Sequence, residues 1–509
     1  MTEIITARAL GEYVSSFNQN DHELYRQHIP NERALDWMTE NIPRFECPDQ
    51  EIEKTYYFRW WTYRKHIKKT DDGFVITEFL PDVKWSGKHN AISCPAAHHF
   101  REGRWLRDDS ILHDYAIYWL RKGGSPRRYS FWIADSVLAY TKVTGDRSFA
   151  VDLLSDLVAN YRAWEADRLG ANGLFWQVDD RDGMECSISG RRSADHSGYR
   201  ATINSYMFGD ALAIADIAEW AGKDAVTATY RAKAGEIRQR TEHLLWDEDA
   251  QFFKVLPRTD DPHLADVREL HGYTPWYFGL PGPEKSEAWS QMLDPQGFCA
   301  PFGPTTAEQR HPEFAVSYEG HHCQWNGPSW PFSTAITLTA MANLLNDYDQ
   351  NTLTREDYCR ALAIYTACHH SKLDDGRVVS WIDENLNPFT GEWLCRAFEK
   401  KWQDGNADPA KGEERGKDYN HSTYCDIIIN GLVGIRPQAD DTIVVNPLVP
   451  ESWDYFCLQG IHYHGRSVTV LFDKTGQKYG MGVGLHVIAD GREIAHSACI
   501  SRLWGSLNS

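Results

Sequence analysis

The chain has 509 residues, 42% of them apolar, and a formal net charge of −19. That is enough for a large core, and by length alone it suggests about three domains, although a single helical barrel could absorb most of it. The charge argues against nucleic acid or anionic membrane as partners, and no stretch approaches the ~18 uninterrupted apolar residues of a membrane span.

The 11 cysteines are odd in number and include no C-x-x-C pair, which excludes a disulfide framework and a zinc ribbon. The opening MTEIITARALGEYVSSFNQ has neither a basic n-region nor an apolar h-region, so a reducing, cytoplasmic location is expected. The densest basic stretch, Arg59 to Lys69, is interleaved with Trp60, Trp61 and Tyr63 and reads as a helix with a solvated face.

Helical periodicity dominates residues 7 to 435. Ile111 to Arg121, Ser130 to Thr144, Phe149 to Leu169, Asn204 to Ala221, Ala225 to Leu245, Ser333 to Leu345 and Arg355 to Ser371 carry apolar residues at i, i+3, i+4 spacing. The connections between them are long and rich in Gly, Pro, Asp and Trp, which suits functional loops gathered at one end of an α/α toroid. After Arg436 the period becomes two, at Asp441 to Pro447, Arg466 to Phe472 and Gly482 to Ala489. The expected fold is therefore mainly α, a helical barrel over residues 1–436, followed by a small antiparallel β domain over 437–509.

Three loops combine carboxylates, Trp and turn residues. WQVDDRDGMECSISG, from Trp176 to Gly190, offers Asp179, Asp180, Asp182 and Glu185. Crowded carboxylates raise one another's proton affinity, as a general acid requires; a solvated acidic loop or, from the D-x-D-G spacing, a calcium loop are the alternatives. QWNGPSW, from Gln324 to Trp330, places two indoles and Asn326 around a Gly-Pro break, and could be a sugar subsite or a packed aromatic corner. The 20 tryptophans lean the same way, because the C–H faces of sugars stack on indole. SWIDENLNPFTG, from Ser380 to Gly391, presents Glu384 beside Trp381 ahead of tight turns, with Asp383 as competitor. The pairs His98–His99 and His321–His322 with Cys323 invite a zinc hypothesis, but no H-x-x-x-H spacing supports it, so neither metal nor cofactor is expected.

The order of these stretches resembles glycoside hydrolase family 63 and its mannosylglycerate-hydrolase-like relatives over roughly residues 100–435. The similarity is strongest at Asn204 to Asp247 and at ENLNPFTG, close to the family's E-N-Y-N-P-x-T-G. It implies an (α/α)6 six-hairpin barrel and an inverting hydrolysis by one acid and one base. The base falls on Glu384. The acid, an Asp in the family's E-S-G-x-D-type loop, falls on Glu185 of DGMECS, a departure that keeps Asp182 and Asp180 as rivals. The W-x-G-P-x-W segment falls on Trp325 and Trp330, and a sugar-binding Asp falls on Asp108. Position and composition add Trp176, Arg104, Arg200, Asn204, Trp381 and His421 as candidate substrate contacts. An inverting pair should stand about 6.5–9.5 Å apart, a retaining pair about 5–5.5 Å. The implied substrate is a short, α-linked gluco- or manno-type glycoside; a phosphorylase, a lyase or a non-catalytic sugar-binding protein on the same barrel are the competing readings.

Overall fold

The computed structural model describes residues 4–316, 323–396 and 414–508. Its helices sort by how much of their circumference is apolar. Helices apolar all round are buried all round; those with one apolar stripe cover them. In chain order they are α1 (Ala7–Gln19), α2 (Ala34–Asn41), α3 (Gln50–His66), α4 (Ala96–Gly103), α5 (Ser110–Arg121), α6 (Ile133–Thr144), α7 (Arg147–Arg168), α8 (Ala201–Trp220), α9 (Asp224–Leu244), α10 (Thr274–Tyr277), α11 (Ser290–Leu293), α12 (Pro331–Asp347) and α13 (Arg355–Ala367). Helix α8 buries 16 of its 20 residues, whereas α9 buries only Tyr230, Ala234, Ile237 and Thr241. Helix α12 buries 13 of its 17 residues, and α13 only Tyr358, Leu362, Tyr365 and Thr366.

The buried members form an inner ring: α4 packs on α6, α6 on α8, α8 on α10, α10 on α12, and α12 on a π-helical turn, Ile427–Leu432. The ring closes where that turn meets α4. Glu102 accepts hydrogen bonds from the backbone N–H of Tyr424, Cys425 and Asp426, and Asp426 Oδ1 takes Arg104 Nε, Arg104 Nη2 and Trp105 Nε1 at 2.7–2.9 Å. Helices α3, α5, α7, α9, α11 and α13 lie outside, giving six hairpins, the expected (α/α)6 barrel.

The basic stretch of α3 departs from expectation, because it is buried rather than solvated. The N-terminal helices cover it, and each cation has a partner: Arg59 donates to Ser422, Arg64 to the Ile29 carbonyl, and Lys65 to Asp21 and Asp418. Buried cations persist when paired in this way. His98 and His99 are core residues of α4, His98 packed on Phe332 and His99 bonded to the Asn420 carbonyl and Tyr115. His321 and His322 lie outside the described residues.

The C-terminal portion is antiparallel. One sheet runs Arg44–Glu46, Tyr455–Tyr463, Arg466–Asp473, Gly484–Ala489, Arg492–Ser497; a second runs Ile435–Pro437, Thr442–Val445, Leu503–Ser506. An N-terminal strand thus completes a C-terminal sheet, with Phe45 opposite Leu458. No described helix is long and apolar enough to cross a membrane.

Candidate active site

The three singled-out loops converge at one end of the inner ring and are stitched together by backbone hydrogen bonds. Trp325 N–H donates to the Glu185 carbonyl at 3.1 Å, and Ser329 and Leu386 exchange N–H···O bonds at 3.0 Å in both directions. Trp330 precedes Pro331, whose missing N–H costs nothing at the first turn of α12. Beyond Glu384, Asn387 Oδ1 accepts from Phe389 and Thr390 N–H and holds the turn that the Asn-Pro and Thr-Gly pairs foretold.

These loops bound a cavity of about 300 Å³ lined by residues including Glu78, Trp85, Glu185, Trp330, Glu384 and Arg415. Glu185 is half-buried there, two residues after Gly183. Gly183 has φ +75°, and a Cβ on it would stand 2.6 Å from Cys94 Sγ, so only glycine lets the loop approach this closely. Cys186 is itself left-handed at φ 61°, a strained conformation for a side-chain-bearing residue. Burial, with added repulsion from Asp180, Glu384 and Asp179, pushes the Glu185 carboxyl up to about 8. It therefore keeps its proton at neutral pH.

Glu384 is almost fully buried and clamped on both oxygens. Arg415 Nη2 lies 2.9 Å from Oε1, Cys395 Sγ donates to Oε2 at 2.7 Å, and Cys323 Sγ stands 3.8 Å from the same oxygen. Burial and the neighbouring carboxylate push the Cys395 thiol well up, so it donates as a neutral S–H. The His421 ring bonds the Glu384 carbonyl at 3.2 Å. The Trp325 and Trp330 rings stack on each other at 4.6 Å, 12° from parallel, beside His421.

Glu185, Glu384, Trp325, Trp330 and His421 are therefore brought together, and the other sequence candidates have different tasks. Arg104 closes the ring on Asp426. Arg200 is fully buried with Asp182, 3.2 Å from Nε to Oδ2, and Thr202 also donates to Asp182. Asn204 brackets the backbone of Phe175, accepting from its N–H and donating to its carbonyl at 2.8 Å. Trp176 carries the guanidinium groups of Arg168 and Arg258 at 4.2 and 3.9 Å from its ring. Trp381 lies under Arg396 and Lys417, and Asp383 accepts the Glu384 N–H at 2.8 Å. Asn326 is buried, its amide donating to the Glu313 carbonyl at 3.5 Å, and Asp108 is exposed, bonding Ser110 at the start of α5. None of these lines the cavity. Of the two rival acids, Asp182 is the one taken by Arg200 and Thr202, and Asp180 faces Arg181 at 3.7 Å.

The sequence reading did not single out Glu78 and Arg415, which line the pocket, or Cys395, which donates to Glu384. The signal for Glu78 was present, a lone carboxylate inside the apolar run FVITEFL; a buried Glu needs a partner or a reason. Arg415 had no such mark.

A solved structure titled a sialidase is 42% identical over 99% of this chain, with a TM-score of 0.90. This chain spans 45% of that longer protein. The mannosylglycerate hydrolase of family GH63 from Thermus thermophilus, solved with glucose, shares 13% identity over 69% of this chain and 95% of its own, at TM-score 0.50. The GH78 rhamnosidase of Bacillus sp. GL1 shares 12% over 88% of this chain and 41% of its own, at 0.51. These two likenesses show the fold alone. Residues 435–496 match the glycosyl hydrolase family 65 C-terminal domain. Residues 88–422, the barrel that carries the pocket, match the mannosylglycerate hydrolase MGH1-like glycoside hydrolase domain, and the chain belongs to that family.

Proposed function

We propose that the chain is an inverting, exo-acting glycoside hydrolase that removes a terminal neutral sugar from a short glycoside. Glu185 is the general acid and Glu384 the general base. The observation that carries this is that two carboxyl groups share one cavity in different surroundings, Glu185 pushed up to about 8 by burial and Glu384 clamped by the buried Arg415. A carboxyl group that its surroundings keep protonated suits the acid, and one held by a guanidinium suits the base.

In the first step the Glu185 O–H donates to the glycosidic oxygen as the C–O bond breaks. Glu384 takes a proton from a water attacking the opposite face, and the sugar leaves with its anomeric configuration inverted. The fixed turn after Glu384 and its two clamped oxygens hold the base in line with that water. Trp330 offers a ring for sugar stacking. A small cavity suits one sugar residue, hence action at a chain end.

Arg415, the one arginine among the described lining residues, is committed to Glu384, which disfavours a phosphate nucleophile and so phosphorolysis. The one cation among the described lining residues, Arg415, is already paired with Glu384, so the cavity offers no free cation for the carboxylate of a sialic acid. Gluco- and manno-configured α-glycosides remain the first substrates proposed. The division into a catalytic barrel (1–436) and a β unit (437–509) is part of the same proposal, as is a cytoplasmic setting, which suits 11 cysteines in thiol form.

The test is reducing-sugar release from a panel of α- and β-linked aryl and alkyl glycosides, with and without phosphate. Release that needs no phosphate and disappears in Glu384→Gln supports the reading. Turnover surviving in Glu384→Gln, or strict dependence on phosphate, overturns it.

A further inference from the structure

The pocket holds a third carboxyl group that the two-residue mechanism does not use. Glu78 follows the strand Gly73–Ile76 and lines the same cavity, 6% exposed. Its mount is rigid. Asn420 N–H donates to the Glu78 carbonyl at 3.1 Å and Asn420 Nδ2 to the Thr77 carbonyl at 3.2 Å, while Thr77 N–H donates to the His66 carbonyl. The segment that carries Tyr419 and His421 therefore also fixes the backbone of Glu78.

One side-chain oxygen, Oε1, accepts the Tyr419 O–H. Oε2 has no protein partner among the described residues. Among the described residues, the titratable and charged groups around Glu78 include Tyr419, Arg415, Glu384, Glu185, Cys94, Tyr129 and Tyr115, and His421 and Cys323 line the same cavity. Arg415 is the one cation among these described groups, since burial holds the His421 ring neutral, and Glu384 already holds it at 2.9 Å. Tyr419, Cys94, Tyr129 and Tyr115 are neutral at physiological pH, all held up by burial. A charge on Glu78 would therefore stand uncompensated near the catalytic pair. Burial and repulsion from Glu384 and Glu185 push this carboxyl up to about 8. With Oε1 accepting from Tyr419, the proton belongs on Oε2, the oxygen left without a partner. Glu78 lines the cavity, so a ligand bound there can supply the acceptor for that O–H.

We propose that Glu78 is a substrate-binding residue of this pocket. As a neutral carboxylic acid it donates its O–H to a hydroxyl of the bound sugar, and Tyr419 is the positioning residue that orients its carboxyl group. The inference rests on the glycosidase reading of the cavity and deepens it. The pocket then needs two protonated carboxyl groups to work, one for chemistry and one for binding, and it selects a neutral sugar with a hydroxyl at the Glu78 side.

The test is a pH series of kcat/KM on the best glycoside of the panel for the unmodified enzyme, Glu78→Gln, Glu78→Leu and Tyr419→Phe, with Glu384→Gln alongside. In the unmodified enzyme log(kcat/KM) should fall above about pH 8 with a slope approaching two protons, since Glu78 and Glu185 must both be protonated. Glu78→Gln keeps a donor that does not titrate, so its slope should drop to one, with kcat changed less than about threefold at pH 6.5. Glu78→Leu should raise KM about tenfold at pH 6.5 with a smaller effect on kcat. Tyr419→Phe should raise KM by less than Glu78→Leu does. Independently of turnover, difference infrared spectra near pH 6.5 should lose one neutral-carboxyl band in Glu78→Gln. Identical slopes in the unmodified enzyme and Glu78→Gln, an unchanged KM in Glu78→Leu, or retention of every neutral-carboxyl band would overturn the role of Glu78. Turnover in Glu384→Gln would instead overturn the glycosidase reading, so the two failures are distinguishable.

Discussion

Replacing Glu185 by Gln removes the proton that the leaving group needs while keeping the shape of the side chain. The Glu185 carboxyl lies at about 8 rather than at its ordinary 4.5. At ~1.4 kcal/mol per pH unit, that is on the order of 5 kcal/mol against its charged form. About nine in ten molecules therefore carry the proton at pH 7. General acid catalysis contributes ~10²–10⁴-fold, so Glu185→Gln should lose that much kcat on an alkyl glycoside, whose leaving group must be protonated. On a 2,4-dinitrophenyl glycoside of the same sugar the leaving group departs unaided, and the loss should stay within about tenfold. The alkaline fall of the pH profile should also lose one proton. The assay is a pair of pH–rate profiles, one per leaving group, on the enzyme and the variant. An equal loss on both glycosides, with the alkaline limb unchanged, would refute the assignment and return Asp179, Asp180 and Asp182 to consideration.

Other consequences can be checked by unfolding and kinetics. Glu78 and Glu185 keep protons in the folded state that the unfolded chain releases, so folded stability falls as pH rises from about 4.5 to about 8. Glu78→Gln should then gain stability over the unmodified protein by up to on the order of 3–5 kcal/mol at pH 9 and little at pH 4; a gain that does not grow with pH, read by urea denaturation, would contradict this. Arg415→Met leaves Glu384 buried without its cation and should cost ~3–5 kcal/mol together with most activity. Arg415→Lys, a charge without the guanidinium fork, should recover only part of each. Asp426→Asn weakens the ring closure at Arg104 and should lower the melting temperature while leaving KM unchanged, because neither residue lines the cavity; a raised KM would restore Arg104 to substrate binding.

Much of the barrel could be read from periodicity, because inner and outer helices differ in how far their apolar surface extends. The ends of α8, α9 and α12 fall within three residues of where the pattern put them. The strand Tyr455–Tyr463 was missed because it is buried on both faces over most of its length and so shows no alternation of apolar and polar residues. The buried run of α3 was misjudged for a related reason. Charge in a sequence suggests solvent, and the partners of Arg59, Arg64 and Lys65 come from segments tens to hundreds of residues away. Glu185, Glu384 and the two tryptophans could be found because each sits in a loop marked by turn residues. Arg415 could not, since its only sign is a contact with Glu384 across 31 residues of sequence. Arg104, Arg200 and Asn204 were polar residues near the right loops, yet their atoms are spent on Asp426, Asp182 and the Phe175 backbone. Proximity in sequence to a site does not tell whether a side chain is already satisfied.

The most direct test of the central claim, a single-displacement hydrolysis between Glu185 and Glu384, is an NMR time course of the sugar released in the first minutes of reaction, before mutarotation mixes the anomers. The account predicts the anomer opposite to that of the glycoside, and no release of either anomer by Glu384→Gln. Release of the same anomer as the substrate would contradict it, since a retaining reaction requires a carboxylate as nucleophile rather than as a base acting on water.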